Sequence, residues 1–521
     1  MQLLQLILVA GVHVAALREV DRCTTILVGA KVHPRFFYHQ AHELGATSGS
    51  PMTTHSNACS VCDFRITKVP QKQHARGSLR NVTEFKLVYP RYVGHERGAV
   101  DYFEVNLVPG FFNWSHTKPI GQIPQVVTTY GYIEGSTCGA NLWAKPVSHG
   151  GNALFDITEL ARLAMERTKT AREAIKLMGS LADQYGYYSG SNWDGEPEYA
   201  DAGETLTVAD TVEGWVFHIL QDDSGASAVW VAQRIPDTHI TAIGNQFIVH
   251  QVNLNDSANL YSVATRSKLW DGKSPFDFTA TYTYKQANPA YSTRRQWRIF
   301  TLANPSLNLS PNTDPFGTNY PFSVPAAKLL TASDLMSYHR DHYEGTDFDL
   351  TQGAAAGPYG TPNRYSVGKQ PALGYFERAI SIYRVTYSFV SLAHPSDVNA
   401  GLVWFGPFAP HATSYMPVYA KSSSIPALTS QGSLLKFAFN SAFWINVLVA
   451  NYADHYYKHV MPTVLQVQLK VEKSAADALA GIQAKAQSIL KTHGEAALVE
   501  YLTTSSQAFA NATHDAFVAL F

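Results

Sequence analysis

The chain has 521 residues, 45% of them hydrophobic and 16% charged, and its 40 Lys and Arg against 41 Asp and Glu leave a formal net charge of −1. That length and apolar content allow a large buried core and exclude a chain that is disordered by composition. The near-balanced charge gives no electrostatic footprint for nucleic acid or for an anionic membrane surface.

In chain order, Met1 to Ala10 is an apolar run, and Val14 and Ala16 follow it with the small-residue spacing of a signal-peptidase site. The segment is read as an export signal, against the alternative of a buried N-terminal strand. It is too short to span a bilayer as a mature anchor. Acceptor sequons for N-glycosylation at Asn81, Asn113, Asn255, Asn308 and Asn511 agree with export, whereas Asn304-Pro-Ser is excluded by its proline. Cys23-Thr-Thr-Ile-Leu-Val-Gly29 is rich in β-branched residues and is predicted as a strand opening at the cysteine. A His-rich stretch, Ala30 to Gly45, follows it. Its His39-Gln-Ala-His42-Glu43 matches no zinc-protease order and is read as a surface insertion. The four cysteines, Cys23, Cys59, Cys62 and Cys138, are too few for a disulfide scaffold. The lone Cys59-x-x-Cys62 leaves open a structural disulfide, two inert thiols, a redox pair or half a zinc site.

Asp156 to Gly186 predicts two helices. Asp156 caps the first, and Thr170-Ala-Arg-Glu173 is a capping box for the second, which Gly186 ends. Thr205–Val208, Gly214–Leu220 and Ala226–Arg234 predict an antiparallel meander turned at Asp222-Asp-Ser-Gly225, with His239–Asn245 as a possible fourth strand. A second β-rich stretch is expected from Ser381 to Phe405. Phe437–Ala453 is read as a buried helix, because its polar residues interrupt any membrane span. The Ala-rich tail, Ser474 to Phe521, is expected to be a peripheral helical pair broken near Gly494. Helices beside antiparallel strands predict an α+β protein.

A thiol attacks a carbonyl only after losing its proton. One solution places the nucleophile at the chain terminus, where its own α-amine, with a pKa of about 8, takes that proton. Cys23 fits this geometry once residues 1–22 are removed; a buried packing cysteine is the other reading. Several collinear blocks then matter. Cys23 to Gly29, Thr47 to Asn57 and Cys62-Asp-Phe-Arg-Ile-Thr-Lys-Val-Pro70 come first, then Pro119 to Gln125 and Ser136-Thr-Cys-Gly-Ala140. Ala161 to Tyr188, Gly203 to Asp210, Trp215 to Leu220 and Ser227 to Pro236 continue them, followed by Arg294-Arg-Gln-Trp297, Arg340 to Gly345 and Ser441-Ala-Phe-Trp444. Together they resemble the N-terminal-nucleophile cysteine dipeptidases of the bacterial dipeptidase D and secernin type.

The resemblance implies an N-terminal-nucleophile hydrolase fold, an αββα sandwich. It implies dipeptide hydrolysis with Cys23 as the catalytic nucleophile, and neither metal nor organic cofactor. The expected organisation is a signal peptide and short propeptide over 1–22, a dipeptidase domain over 23–465 and a C-terminal helical extension over 466–521. The expected partner is a dipeptide substrate, with no nucleic acid and no stable membrane anchor, and the expected location is outside the cell or in a lysosome- or vacuole-like compartment. Beside the extra residues Ala30 to Gly45 between its first two blocks, two departures from the family stand out. Ala58 replaces an acidic residue. Gly131-Tyr-Ile-Glu134 runs directly into Gly135-Ser136, where the family carries a Gly-x-Met-Asn-Glu-type segment. Loss of one oxyanion donor costs about two to three orders of magnitude in rate, so a catalytically impaired member that binds or traffics is the alternative.

His55 and Asn57 are candidates for substrate or oxyanion binding, against a turn role. Asp63 and Arg65 are read as a structural ion pair. Arg294 and Arg295, taken as neighbours on a strand, are expected to be solvated, with at most one turned to a substrate carboxylate. Cys138, His218, Trp193, Trp215 and Trp230 are read as core, His218 with its hydrogen bonds satisfied.

Overall fold

The structure is a computed structural model that describes residues 24–32, 66–83, 119–135, 140–143, 153–188, 202–252, 257–283, 290–312, 320–364, 377–383, 385, 387–394, 397–432 and 437–521. These residues form a mixed α+β protein with a helical C-terminus.

The expected helix pair forms as Ile157–Arg167 and Ala171–Tyr185. The Asp156 carboxylate accepts from the Glu159 amide, and Thr170 and Glu173 close a reciprocal capping box, so both helices start where orphan amides find an oxygen. Their apolar face, with Leu160, Leu163, Ile175 and Met178, packs on Leu206, Phe217, Ile219 and Trp230 of a sheet. That sheet is the expected meander. Gly214–Gln221 lies between Ala202–Ala209 and Ala228–Arg234, and Ala140–Trp143 completes it beside Ala202–Ala209, with all pairs antiparallel. Gly214–Gln221 is buried along its whole length, as a strand covered on both faces must be.

His239–Ile243 does not join the meander. It pairs antiparallel with Thr25–Val28, setting Thr25 opposite Ile243 and Val28 opposite Ile240, and its other edge takes Val324–Pro325. Strand alternation sorts this pair's side chains. Leu27 and Ile243 join Val216, Leu220, Val229 and Val231 on the second face of the meander. Ile26, Ile240 and Ala242 point the other way, into Ile299, Phe300 and Ala303 of the helix Ala290–Ala303. Layers therefore follow in the order helix pair, meander, strand pair, helix.

Residues 66–83 and 119–135 form one antiparallel ribbon, paired from Ile66↔Gly135 through Lys72↔Thr129 to Val82↔Gly121. Arg80 pins it to the first helix through Glu159 at 2.9 Å and Glu166 at 2.9 Å. The second β-rich region gives Ser388–Leu392 and Leu402–Gly406, extended by Met416–Tyr419 into a three-stranded sheet. The buried helix expected from Phe437 starts later, at Ala442–His455, and Phe437 and Phe439 stay exposed.

The tail forms a long helix, Tyr457–Val518, broken where expected: Gly494 has φ 82° and ψ −175°, a conformation open essentially to glycine alone. It runs without interruption through residues 465 and 466. It is not peripheral. Ala475 and Ala486 before the break, and Leu498 and Leu502 after it, share a core with Val390, Leu402, Trp404 and Tyr419 of the three-stranded sheet. Small alanines let the helix approach the sheet closely enough to exclude water, which composition alone does not reveal. Among the described residues no helix is long and apolar enough to cross a membrane.

Candidate active site

The strand Thr25–Val28 begins beside Thr24, which is buried. The hydroxyl oxygen of Thr24 accepts a hydrogen bond from Arg295 Nη1 at 2.9 Å, across 271 residues of sequence. Arg295 has no exposed surface. Its Nη2 donates to the Gly244 carbonyl at 2.7 Å and to Asn245 Oδ1 at 2.6 Å. A buried guanidinium must have its donors satisfied, because stripping its water costs several kcal/mol.

The turn after His239–Ile243 is shaped to meet this helix. Gly244 lies so close that a Cβ there would stand 2.3 Å from the Ser292 carbonyl oxygen. Asn245 takes φ 76°, a conformation that asparagine tolerates better than most side chains. Gln246 Nε2 donates to Gln296 Oε1 at 2.7 Å. Residues 244, 245 and 246 thus rest on positions 292, 295 and 296, which share one helix face at i, i+3 and i+4 spacing. Only an amide's oxygen accepts from a guanidinium, so the contact to Arg295 fixes which way the Asn245 amide points: its oxygen faces Arg295 and its nitrogen faces away.

Arg294 and Arg295 correct the expectation made for them. They lie on a helix, not a strand, and both are buried. Arg294 turns to Glu377 at 3.2 Å and lies 3.6 Å above the Phe348 ring. Burial pushes the Glu377 carboxyl up, against the pull of Arg294. Arg298, one turn on, grips Asp341 at 2.6 Å. Three arginines on one helix thus anchor three different segments.

Cys23, His55 and Asn57 lie outside the described residues, as do Asp63, Arg65, Cys59, Cys62, Cys138 and Trp193. Trp215 and Trp230 are core residues. His218 is fully buried between Phe247 and Phe278, as expected. It is only half satisfied: Nε2 accepts from the Ile248 amide at 3.1 Å, while Nδ1 finds no partner among the described residues. Burial holds its pKa down at about 3. The sequence alone does not mark Asn245 and Gln246 as site residues. The Gly244-Asn245 pair is a turn signal at the end of an expected strand, and that is the signal the sequence offers.

Cys59 and Cys62 lie outside the described residues, and among the described residues no group of three or more His, Cys, Asp or Glu could hold a metal ion. Chemically, the arrangement offers a strand terminus locked by a permanently charged donor, with an oriented amide beside it.

Fold and site together define an α+β protein whose first described strand is tied at its start to a buried arginine of a covering helix. Residues 136–470 match Peptidase family C69, and the chain belongs to that family. The match includes Asn245 and Arg295, begins after Thr24 and stops just before Glu472. Among curated relatives, a probable dipeptidase of Latilactobacillus sakei is 22% identical over 307 residues, 57% of this chain and 57% of the relative. Dipeptidase A of Lactobacillus helveticus is 22% identical over 311 residues, 58% of this chain and 57% of the relative. A dipeptidase of Bifidobacterium longum is 20% identical over 328 residues, 59% and 55%. The chain therefore spans a little over half the length of the curated relatives it matches.

Proposed function

We propose that the chain hydrolyses dipeptides, with Cys23 as an N-terminal thiol nucleophile exposed by removal of residues 1–22. Membership of Peptidase family C69 and the dipeptidase names of the relatives support the substrate class. The layer order of helix pair, meander, strand pair and helix supports an αββα sandwich of the N-terminal-nucleophile type. The observation that carries the reading is the hydrogen bond from Arg295 to Thr24, the residue directly after the proposed nucleophile.

In this reaction the α-amine of Cys23 takes the thiol proton, and Sγ attacks the scissile carbonyl. The tetrahedral intermediate expels the leaving amine, which recovers the proton, and a thioester remains. Water, deprotonated by the same amine, hydrolyses the thioester and frees the second product. Arg295 is a positioning residue: by holding Thr24 it fixes the start of the strand, and by holding Asn245 it orients an amide donor. His55 and Asn57 are assigned to substrate or oxyanion contacts. The reaction calls on no metal or organic cofactor. The export signal directs the chain out of the cell or to a lysosome- or vacuole-like compartment.

The test is dipeptide hydrolysis by the purified, processed protein beside Cys23→Ala and Arg295→Lys. Hydrolysis that is abolished by Cys23→Ala and lowered by Arg295→Lys supports the reading. Hydrolysis that survives Cys23→Ala refutes the nucleophile. A folded, correctly trimmed protein with no hydrolysis of any dipeptide supports a binding or trafficking role instead.

A further inference from the structure

Among the described residues, the buried asparagines and the sequon asparagines are separate sets. Asn245, Asn304, Asn363 and Asn446 are buried, and none opens a usable sequon; Asn304 is followed by Pro305. Asn81, Asn308 and Asn511 open sequons, and all three are exposed. Exposure of that subset is what a chain carrying bulky glycans there requires, since a glycan cannot enter a packed core.

Asn308 differs from the other two in its hydrogen bonding. The Asn81 oxygen accepts from Gln122 at 2.9 Å, and the Asn511 oxygen accepts from Gln507 at 2.8 Å within a helix. The Asn308 amide makes no hydrogen bond among the described residues. Asn308 follows the short helix Pro305–Leu307 with φ 45° and ψ 41°, and this left-handed turn sends its side chain outward while Leu307 and Leu309 pack inward. The loop is held firmly behind it. Trp297 Nε1 donates to the Leu309 carbonyl at 2.7 Å, and Arg294 Nη1 donates to the Pro311 carbonyl at 3.1 Å. The neighbouring Asn304 makes the contrast: it is buried, its Nδ2 donates to the Pro325 carbonyl at 2.9 Å, and its Oδ1 accepts from Ser306.

We propose that Asn308 is an N-glycosylation site. The acceptor is Asn308-Leu309-Ser310, and the donor is a lipid pyrophosphate-linked oligosaccharide presented by a membrane transferase. Nδ2 of Asn308 attacks the anomeric carbon. A C–N bond forms, the C–O bond to pyrophosphate breaks, the lipid pyrophosphate leaves and the amide gives up one proton. The finished glycan projects from a rigid loop clamped to the helix that carries Arg295. The proposal rests on export of the chain, and it is independent of the chemistry at Cys23.

The experiment expresses the full chain in a secreting eukaryotic cell. The purified protein is deglycosylated with an amidase in heavy-oxygen water, and the peptide holding residue 308 is read by mass spectrometry. Ser310→Ala is the clean variant, because it removes the sequon and leaves Asn308 in its left-handed turn; Ser310→Thr restores the sequon. The expected result is a labelled Asp at 308 in the wild type and in Ser310→Thr, and an unlabelled Asn in Ser310→Ala. An unlabelled Asn308 in secreted protein that carries glycans at other sequons overturns the site alone. A chain retained in the cell and unmodified throughout overturns export as well, while dipeptide hydrolysis lost on Cys23→Ala would still stand.

Discussion

Arg295 and Arg340 are both largely withdrawn from water, and they hold different parts of the molecule. Arg295 donates to the neutral oxygens of Thr24, Gly244 and Asn245. Arg340 instead meets the buried Glu472 of the C-terminal helix at 2.5 Å, and Glu472 also accepts from the Tyr415 amide at 2.8 Å. Histidines crowd the second region. His339 is fully buried with neither ring nitrogen partnered among the described residues. His411 bonds to Ser381 at 2.8 Å and lies 5.1 Å, ring to ring, from His342, which meets Glu344 at 3.2 Å; Tyr457 of the C-terminal helix packs on both rings. The first region is a precise hold on a strand terminus, made through hydroxyl, carbonyl and amide oxygens. The second is a docking joint for the C-terminal helix, and its polar groups respond to charge and pH. Damage to the first is expected in the reaction rate, and damage to the second in stability.

The largest expected separation comes from Glu472→Ala. It leaves the Arg340 guanidinium buried without its carboxylate, at a cost of about 3–5 kcal/mol. Urea unfolding should show that loss, while turnover per folded molecule stays near the wild-type value. Arg295→Lys should do the reverse. A single ammonium cannot span the Thr24, Gly244 and Asn245 oxygens as a planar fork does, so turnover should fall by about two to three orders of magnitude, as for loss of an oriented donor. Its urea midpoint should shift less than that of Glu472→Ala.

Acid should strike the docking joint next. Burial, and then the neighbouring Arg340, holds His339 down to about 3. Burial, with His342 and Arg340 beside it, holds His411 well below the ordinary range against the opposing pull of Glu344. Both histidines therefore stay neutral in the fold at a pH where an unfolded histidine, with a pKa of about 6.5, takes up a proton. Their stability contribution is whole above that value and falls as the pH drops from it toward the folded values. Between pH 7 and pH 5 each should remove about 2 kcal/mol. Urea midpoints taken across that range test this, and His339→Phe should flatten the slope. A chain bound for a lysosome-like compartment would have to bear that cost, so a steep loss would favour the extracellular destination.

The smallest effect belongs to Gly494→Ala, which forces a Cβ into a backbone conformation that glycine alone adopts freely, at about 1–2 kcal/mol. Nothing crowds the site within 4 Å, so the cost is conformational, and helix docking weakens without any change at Arg295.

These two regions also differ in how far the sequence reveals them. Local signals are read well: the Asp156 cap, the Thr170–Glu173 capping box and the Gly494 break all act over a few residues, and each stands where expected. The meander is equally legible, because alternation and a turn at Asp222 lie within one stretch. His239–Ile243 takes a different neighbour from the one expected, since nothing local says that a strand leaves its meander to pair with Thr25–Val28. The role of Arg295 is hidden for the same reason. Read on a strand it faces solvent, and only the fold brings it to Thr24. The tail reads as peripheral because its alanines look bland, although small side chains are what close packing on the three-stranded sheet requires.

The central claim is that Cys23 works with its own α-amine, and the most direct measurement is the N-terminal residue of active protein, by intact mass and terminal sequencing. The account predicts that hydrolytic activity is confined to molecules that begin at Cys23. Full activity in molecules that begin at Leu17 or Met1 would contradict it, because the thiol would then have no terminal amine to take its proton.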